Sequence, residues 1–153
     1  MVMQYVPARD MVVQVLQADG TTWTTVEGLN SIGSDPAANE AMTEKTTYGS
    51  AGSYESIKMQ VGHSLELAGL LSKDSVTGAL ASGQARITTL AALVSYAGLG
   101  QVRFRESGTT DTQWIKWAEA TFSRGASNGA NNDLRTFAAT LGRNSTATLE
   151  AVL

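Results

Sequence analysis

The chain is short of two residue types with which many enzymes do chemistry, cysteine and histidine. It has 153 residues, no cysteine and a single histidine, His63. The absence of cysteine excludes disulfides and thiolate metal sites, and a metal centre would have to use Asp and Glu residues that are scattered along the sequence. There is no glycine-rich nucleotide-binding motif, no P-loop and no GxSxG nucleophile motif. We therefore expect no enzymatic activity, no metal and no cofactor.

The chain is also poor in charge. Charged residues make up 16% of it, and the formal net charge is -3. This fraction lies below the roughly 25–35% that suits the surface of a free soluble domain, which indicates that partners cover much of the surface. The balance of positive and negative residues provides no basic patch for non-specific nucleic-acid binding. No segment reaches the ~20 apolar residues of a membrane span, and no secretory signal is visible, so we expect no contact with a membrane.

Residues 56–70 (SIKMQVGHSLELAGL) carry the clearest strand pattern in the sequence. Polar and apolar residues alternate along it, as in a strand with one face in a core, and it exceeds the roughly 5–6 residues of an ordinary strand. His63 falls on the apolar face, where a lone histidine is more typical of a core or interface residue than of a catalytic one. The apolar face comprises Ile57, Met59, Val61, Leu65 and Leu67, and the polar face comprises Ser56, Lys58, Gln60, Ser64 and Glu66. The polar face is expected to meet solvent, a channel or another subunit.

Further strands are predicted before and after this segment. Asp19-Gly20 is a turn signal between two β-rich runs and predicts a hairpin. Trp114 and Trp117 lie in one predicted strand and cannot share a face unless a bulge intervenes. A helix is expected over about 74–97, because Asp74 is a suitable N-cap and Gly98 a suitable stop. The remaining strands are predicted at 11–18, 21–27, 101–106, 113–122, 134–141 and 147–153.

The strand order contains no β-α-β alternation, which favours an antiparallel architecture. We predict a mainly β (α+β) fold in which two packed antiparallel sheets form a sandwich or partial barrel, with one flanking α-helix and a long loop. The chain is expected to be one domain, residues 1–153, with an N-terminal arm at 1–9. The long loop spans 28–55, is rich in glycine and small polar residues, and exceeds the about 12–15 residues at which loops become unusual and often functional.

The order of several weak motifs resembles the tail tube (major tail) proteins of long-tailed bacteriophages. The segment WTTVEGLNSI is similar to the family's strand end "W-x-x-I/V-x-G-L". A loop with acidic and Thr residues that leads into a long strand follows it, and the C-terminal part resembles the family's closing strands. The resemblance covers roughly residues 10–152, and it departs from the family at DSVTGALASGQ. The matching positions are Trp23, Val26, Gly28 and Leu29, then Glu44, Thr46, Thr47, Gly52 and Glu55, then Ala118, Asp133, Phe137, Thr140 and Gly142.

The resemblance implies a structural virion protein that assembles into stacked hexameric rings. These rings would form the hollow tail tube, the conduit through which viral double-stranded DNA passes without specific binding. In such rings one sheet of each copy joins its neighbours in a barrel around the lumen, and the long loop reaches an adjacent ring or copy. Implied partners are other copies of the chain and the tape measure, tail terminator and tail-tip proteins. The implied location is the virion, after synthesis in the cytoplasm of the bacterial host.

Two sets of residues are then expected to contribute to assembly. A lumen should be mildly acidic or neutral and rich in hydroxyl groups, because a Lys/Arg lining would hold DNA. The lumen candidates are Lys58, Gln60, Ser64 and Glu66, with Lys58 near one rim. The candidates for contacts between rings or protomers are Asn39, Glu40, Met42, Glu44, Lys45, Thr47, Tyr48 and Tyr54.

Two alternatives remain open on the sequence alone. One is the inner tube protein of a contractile tail, an injection particle or a type VI secretion system, which would have the same fold. The other is a monomeric β-sandwich binding module, for carbohydrate for instance, that uses Tyr54, Trp114 and Trp117.

Overall fold

The computed structural model describes residues 1–153 and contains ten β-strands and one α-helix. The helix α1 spans Ser82–Ala91, and short 3-10 turns occupy Ala8–Asp10, Tyr48–Ser50 and Ser95–Gly98. No helix is long and apolar enough to cross a membrane. The strands are β1 (Val12–Leu16), β2 (Trp23–Thr25), β3 (Leu29–Asp35), β4 (Ala41–Glu44), β5 (Ser56–Gln60), β6 (Ser64–Leu70), β7 (Gly100–Arg105), β8 (Gln113–Arg124), β9 (Thr136–Arg143) and β10 (Ala147–Ala151).

Eight strands form one antiparallel sheet in the order β2-β1-β7-β8-β9-β6-β3, with β10 also paired to β8. The 12-residue β8 belongs to two layers. Its residues 113–117 pair with β10, residues 115–117 and 120 pair with β7, and residues 120–124 pair with β9. We call β2, β1, β7, β10 and the first part of β8 the β7 layer, and β3, β6, β9 and the second part of β8 the β6 layer.

The two layers face each other across the core. Aromatic rings from the two layers meet near the start of β6. The centroid of the His63 ring lies 5.7 Å from that of Phe104 and 5.1 Å from that of Trp117. Helix α1 packs against β8 and the β1–β2 hairpin, and adds Ile87 and Leu90 to the core. The predicted fold class is confirmed: the protein is mainly antiparallel β with one helix and a small separate sheet, β4–β5. The layers of the sandwich are two parts of one continuous sheet.

The helix is shorter than the 74–97 predicted from the sequence. The Asp74 carboxylate accepts hydrogen bonds from the backbone amides of Val76 and Thr77, at 2.9 and 2.7 Å. Gly78 has a φ of 72°, which a right-handed helix does not allow. Asp74 therefore caps a tight turn, closed by a bridge between Lys73 and Leu80, because an Asp side chain satisfies a turn as well as a helix end.

The predicted long strand 56–70 is two strands that belong to different sheets. The chain bends at Gly62, where a Cβ atom would come within 2.3 Å of the Ala38 carbonyl oxygen. Alternation continues with the same parity on both sides of the bend, so the sequence pattern does not reveal it. Leu65 and Leu67 are buried as expected, whereas the apolar residues of the first part, Ile57, Met59 and Val61, are exposed.

The segment 28–55 is more structured than the long loop that was predicted. It contains β3, which pairs with β6 over most of its length, and β4, which pairs with β5. Ser, Gly and Asn dominate β3, so its sequence (LNSIGSD) shows no apolar alternation although the strand forms. The first hairpin is confirmed by the β1–β2 pairing. Residues 1–7, in the predicted N-terminal arm, are exposed and have no regular structure.

A buried glutamine fixes the helix to the strands. Gln84 is fully buried; its Oε1 accepts from the Ser72 amide at 3.0 Å, and its Nε2 donates to the carbonyls of Glu27 and Leu70, each at 2.9 Å. These bonds hold the start of α1 against the ends of β2 and β6. The backbone groups of these strand ends are thereby satisfied in the interior, where they would otherwise be costly.

Replacing Gln84 should therefore destabilise the fold. We expect Gln84→Leu to lower the free energy of unfolding by about 3 kcal/mol, since each buried group left without a partner costs roughly 1–3 kcal/mol. Urea denaturation measures this change. Gln113→Leu, at an exposed glutamine, is the control and should change stability little. Equal effects of the two substitutions would contradict the role of Gln84.

Stability should also depend on the protonation of His63. Burial lowers the pKa of His63 and the nearby Arg143 lowers it further, against opposing effects of Asp35 and Glu106. The unfolded chain then binds the proton more readily, so stability is complete above the ordinary pKa of about 6.5 and falls as the pH drops through it. His63→Gln should reduce the difference in unfolding free energy between pH 7.5 and pH 5.5. An unchanged difference in urea titrations at the two pH values would contradict this assignment.

Candidate assembly surfaces

The outward face of the β6 layer is lined mainly by small residues, five of which bear a hydroxyl group. Its side chains form rows across four strands because the registers align them, and their sequence neighbours Leu65, Leu67 and Leu141 point into the core. The face carries two carboxylates, Asp35 and Glu66, and no Lys or Arg. The rows are Asp35–Ser64–Gly142–Thr121, then Gly33–Glu66–Thr140–Ser123, then Ser31–Ala68–Ala138. We call this surface the hydroxyl face.

Two free strand edges border the hydroxyl face. The strand β3 pairs only with β6. On the opposite side of the layer, residues 121–124 of β8 pair only with β9. Free edges present unpaired backbone groups and are normally covered or paired. The strands run antiparallel across the layer in the order β8, β9, β6, β3, so β8 of a second copy would lie antiparallel to β3.

The outward face of the β7 layer has the opposite character. The Arg103 guanidinium lies 4.4 Å from the Trp23 ring centroid and 4.6 Å from that of Trp114, and Arg105 covers Trp114 from 4.5 Å. Glu150 accepts from Arg103 at 3.1 Å and lies 3.6 Å from Lys116. Burial lowers the pKa of Arg103, and Glu150 partly offsets this effect. With three cations and one carboxylate, this face is basic while the hydroxyl face is acidic.

The aromatic residues of the β7 layer do not form a ligand platform. Trp114 is 5% exposed beneath its arginines, and Trp117 is fully buried in the core on the other face of β8. Tyr54 lies in a different part of the molecule, beyond β4. The exposed aromatic platform that a carbohydrate-binding module would need from these three residues is absent, so this alternative has no site.

A third surface is the hairpin formed by residues 36–62, which we call the arm. Its strands β4 and β5 pair with each other and with no strand of the main sheet, and an isolated two-stranded hairpin is marginally stable in water. The arm exposes a set of large apolar side chains: Met42, Tyr48, Tyr54, Ile57, Met59 and Val61. Exposed apolar groups concentrated on one element mark an interaction site.

Polar contacts and a tight joint shape the arm. Lys58 Nζ lies 2.7 Å from Glu40, and Gln60 Nε2 donates to the Asn39 carbonyl at 2.7 Å. At the base, the contact of Gly62 with the Ala38 carbonyl leaves no room for a side chain. Beside it Ser34 Oγ and His63 Nε2 are 2.7 Å apart. These contacts at its base fix the direction in which the arm extends from the main sheet.

The sequence-predicted residues separate into these surfaces. Ser64 and Glu66 lie together on the hydroxyl face, whereas Lys58 and Gln60 lie in the arm. All the predicted contact residues lie in the arm, namely Asn39, Glu40, Met42, Glu44, Lys45, Thr47, Tyr48 and Tyr54. Sequence reasoning missed the rest of the hydroxyl face, on β3, β8 and β9. Alternation of small polar residues with buried ones at 138–142 and 120–123 was the available signal.

The comparisons with known proteins identify the fold of the chain. No protein-family model and no curated protein match the sequence. Among solved structures, a chain in the tail of an empty gene transfer agent particle, refined with C6 symmetry, is similar with a TM-score of 0.67 at 15% identity, over 95% of this chain and 98% of that chain. A chain in the virion of the native gene transfer agent particle has a TM-score of 0.65 at 14% identity, with the same coverage of both chains, 95% and 98%.

A further similar chain belongs to the baseplate of the anti-feeding prophage, solved with six-fold symmetry. Its TM-score is 0.58 at 12% identity, and the match covers 99% of both chains. These likenesses extend over nearly the whole length of every chain compared. The protein therefore has the fold of chains that occur in phage-like tail particles, as the resemblance in its sequence implies.

Proposed function

We propose that the protein is the structural subunit of a phage-like tail tube, assembled from stacked hexameric rings. The observation that carries this proposal is the match, over nearly the full length, to a chain from a tail with C6 symmetry. The tube would be the conduit for double-stranded DNA. Its other partners would be the tape measure, tail terminator and tail-tip proteins, and its location the virion, after synthesis in the host cytoplasm.

The two free edges of the β6 layer supply a way to close a ring. Residues 121–124 of one copy would pair with β3 of the next, and the antiparallel order would continue without interruption. Each copy would then contribute four strands to one barrel, and closure would remove every free edge of the layer. The contact joins two different surfaces, so repetition about a rotation axis generates a closed ring.

The hydroxyl face is the surface best suited to line the lumen. It carries no cation, so DNA would gain no counterion release by binding to it and could slide. Ser64 and Glu66 keep their proposed place in the lumen. Lys58 and Gln60 are assigned instead to the arm, since their side chains bond there to Glu40 and Asn39.

The arm is the proposed contact between rings or protomers. Its strands leave their outer edges and apolar side chains unpartnered, and a second copy could cover both. Burial would stabilise the assembly by roughly 25 cal/mol for each Å² of apolar surface removed from water. The low charge of the whole chain is consistent with a working state in which copies cover one another.

A second candidate is the inner tube protein of a contractile tail, an injection particle or a type VI secretion system. The similarity to a chain in the anti-feeding prophage baseplate favours it. The two functions share the same ring and differ in whether a sheath surrounds the tube. Electron microscopy of particles that contain this chain separates them by the presence or absence of a contractile sheath.

Self-assembly through the arm is testable with the purified chain. At high concentration we expect hollow tubes or six-fold rings in negative-stain electron microscopy. Met42→Ser combined with Met59→Ser should abolish them, because both side chains are exposed on the arm and contribute nothing to the core. Val76→Ser, at another exposed residue, should leave assembly unchanged. Single particles from the unmodified chain, or tubes from the double variant, would contradict the proposal.

Placement of the hydroxyl face in the lumen predicts an effect on DNA passage. Glu66→Lys and Thr140→Lys should leave tubes intact and slow DNA ejection, because added cations bind phosphate through counterion release. The delay should shrink as salt is raised. Thr148→Lys, on the outward face of β10, is the matched control and should eject normally. Loss of assembly in Glu66→Lys, or ejection at the normal rate, would contradict this placement.

A further inference from the structure

A small apolar projection follows helix α1. Leu93, Val94 and Tyr96 are 46%, 83% and 87% exposed, and together we call them the knob. Between them Ser95 has a φ of 59°, a left-handed conformation that is uncommon outside glycine. The conformation buries none of these three side chains within the chain. Exposed apolar groups held by an unfavourable backbone conformation suggest a contact outside the protomer.

The knob lies on the side of the protomer that carries the free edge of β8. The end of α1 packs on that strand: a Cβ atom on Gly100 would come within 2.6 Å of Leu90 Cδ1 and 2.9 Å of Phe122. Arg124 also donates a hydrogen bond to the Thr88 hydroxyl. At the free edge of β8, the end of α1 fills the space between the β7 layer and the β6 layer. The knob follows the helix, so it projects outward from between these two layers.

A groove of about 430 Å³ lies on the opposite side of the protomer, along the free edge of β3. The groove is lined by residues 11–13 at the start of β1 and by residues 29–32 of β3, together with Ala8, Arg9, Thr25, Val26 and Gly28. The groove therefore also opens between the two layers. Its volume lies in the range of roughly 300–1,000 Å³ typical of pockets that enclose compact ligands.

We propose that the knob of one protomer inserts into the groove of its neighbour within the ring. This inference rests on the proposed function, because pairing of residues 121–124 with β3 of the next copy brings the two sides together. Both features are at the same depth, between the layers and beside the edges that pair. The knob would bury Val94 and Tyr96 against apolar wall residues such as Met11, Leu29 and Ile32. Ring closure would thus use side chains as well as backbone hydrogen bonds.

Cross-linking tests the contact directly, because the natural chain has no cysteine. Tyr96→Cys and Asn30→Cys, both at exposed positions, are introduced together, and assembled tubes are treated with a short bis-maleimide. We expect a ladder on denaturing gels that ends at the hexamer. Tyr96→Cys with Thr148→Cys is the control and should remain monomeric, since Thr148 lies on the outward face of β10.

The outcomes separate this contact from the function on which it rests. Tubes that give no ladder above the control would overturn the knob contact and leave the tube assignment standing. A ladder from Val2→Cys with Asn30→Cys in place of the Tyr96 pair would overturn it as well, because the N-terminal residues of a second copy would then occupy the groove. Failure of the unmodified chain to form tubes or rings would overturn the contact together with the proposed function.

Discussion

The architecture depends on one strand that serves two layers. Along β8, Trp117 lies opposite Val102 and Ala120 opposite Gly100, so β8 uses three residues where β7 uses two. This extra residue bends the strand and shifts the core-facing positions from odd to even numbers, which is why Trp117, Ala120 and Phe122 all face the core. A straight β8 would give a flat sheet with no enclosed interior. The bend folds one sheet over itself, and the core, the helix position and both free edges follow from it.

The bend also divides the surface by chemistry. Beyond it, β8 contributes Thr121 and Ser123 to a face without cations; before it, β8 contributes Trp114 and Lys116 to a basic face. Although the net charge of the chain is only -3, the protomer has one acidic face and one basic face. In the proposed tube this separation would be useful, because the positive charge would lie on the face turned away from the DNA. The arginines have a structural role where they are, covering Trp23 and Trp114.

The sequence is sufficient to predict the fold class and most strands, but not the way in which neighbouring strands divide between sheets. Alternation identifies β1, β7 and β9, because their alternate apolar residues pack in the core: Val13, Val15, Val102, Phe104, Phe137 and Leu141. It fails at Gly62, since Ile57 and Met59 alternate as core residues do while lying exposed on the arm. Ser31 and Gly33 gave no signal, because β3 is held by backbone pairing with β6. The sequence pattern therefore identifies only two residues of the hydroxyl face, Ser64 and Glu66.

Sequence prediction fails on the arm and after the end of α1, and both places expose apolar side chains. Ile57 and Met59 on the arm, and Val94 and Tyr96 on the knob, expose apolar area that the isolated chain does not bury. Core patterning and interface patterning obey the same physics, because both remove apolar surface from water. A sequence that encodes both a core and an interface therefore contains more apolar side chains than one protomer can bury. The apolar surface that stays exposed lies beside the free edges and on the arm, and in the proposed assembly a second copy would bury it.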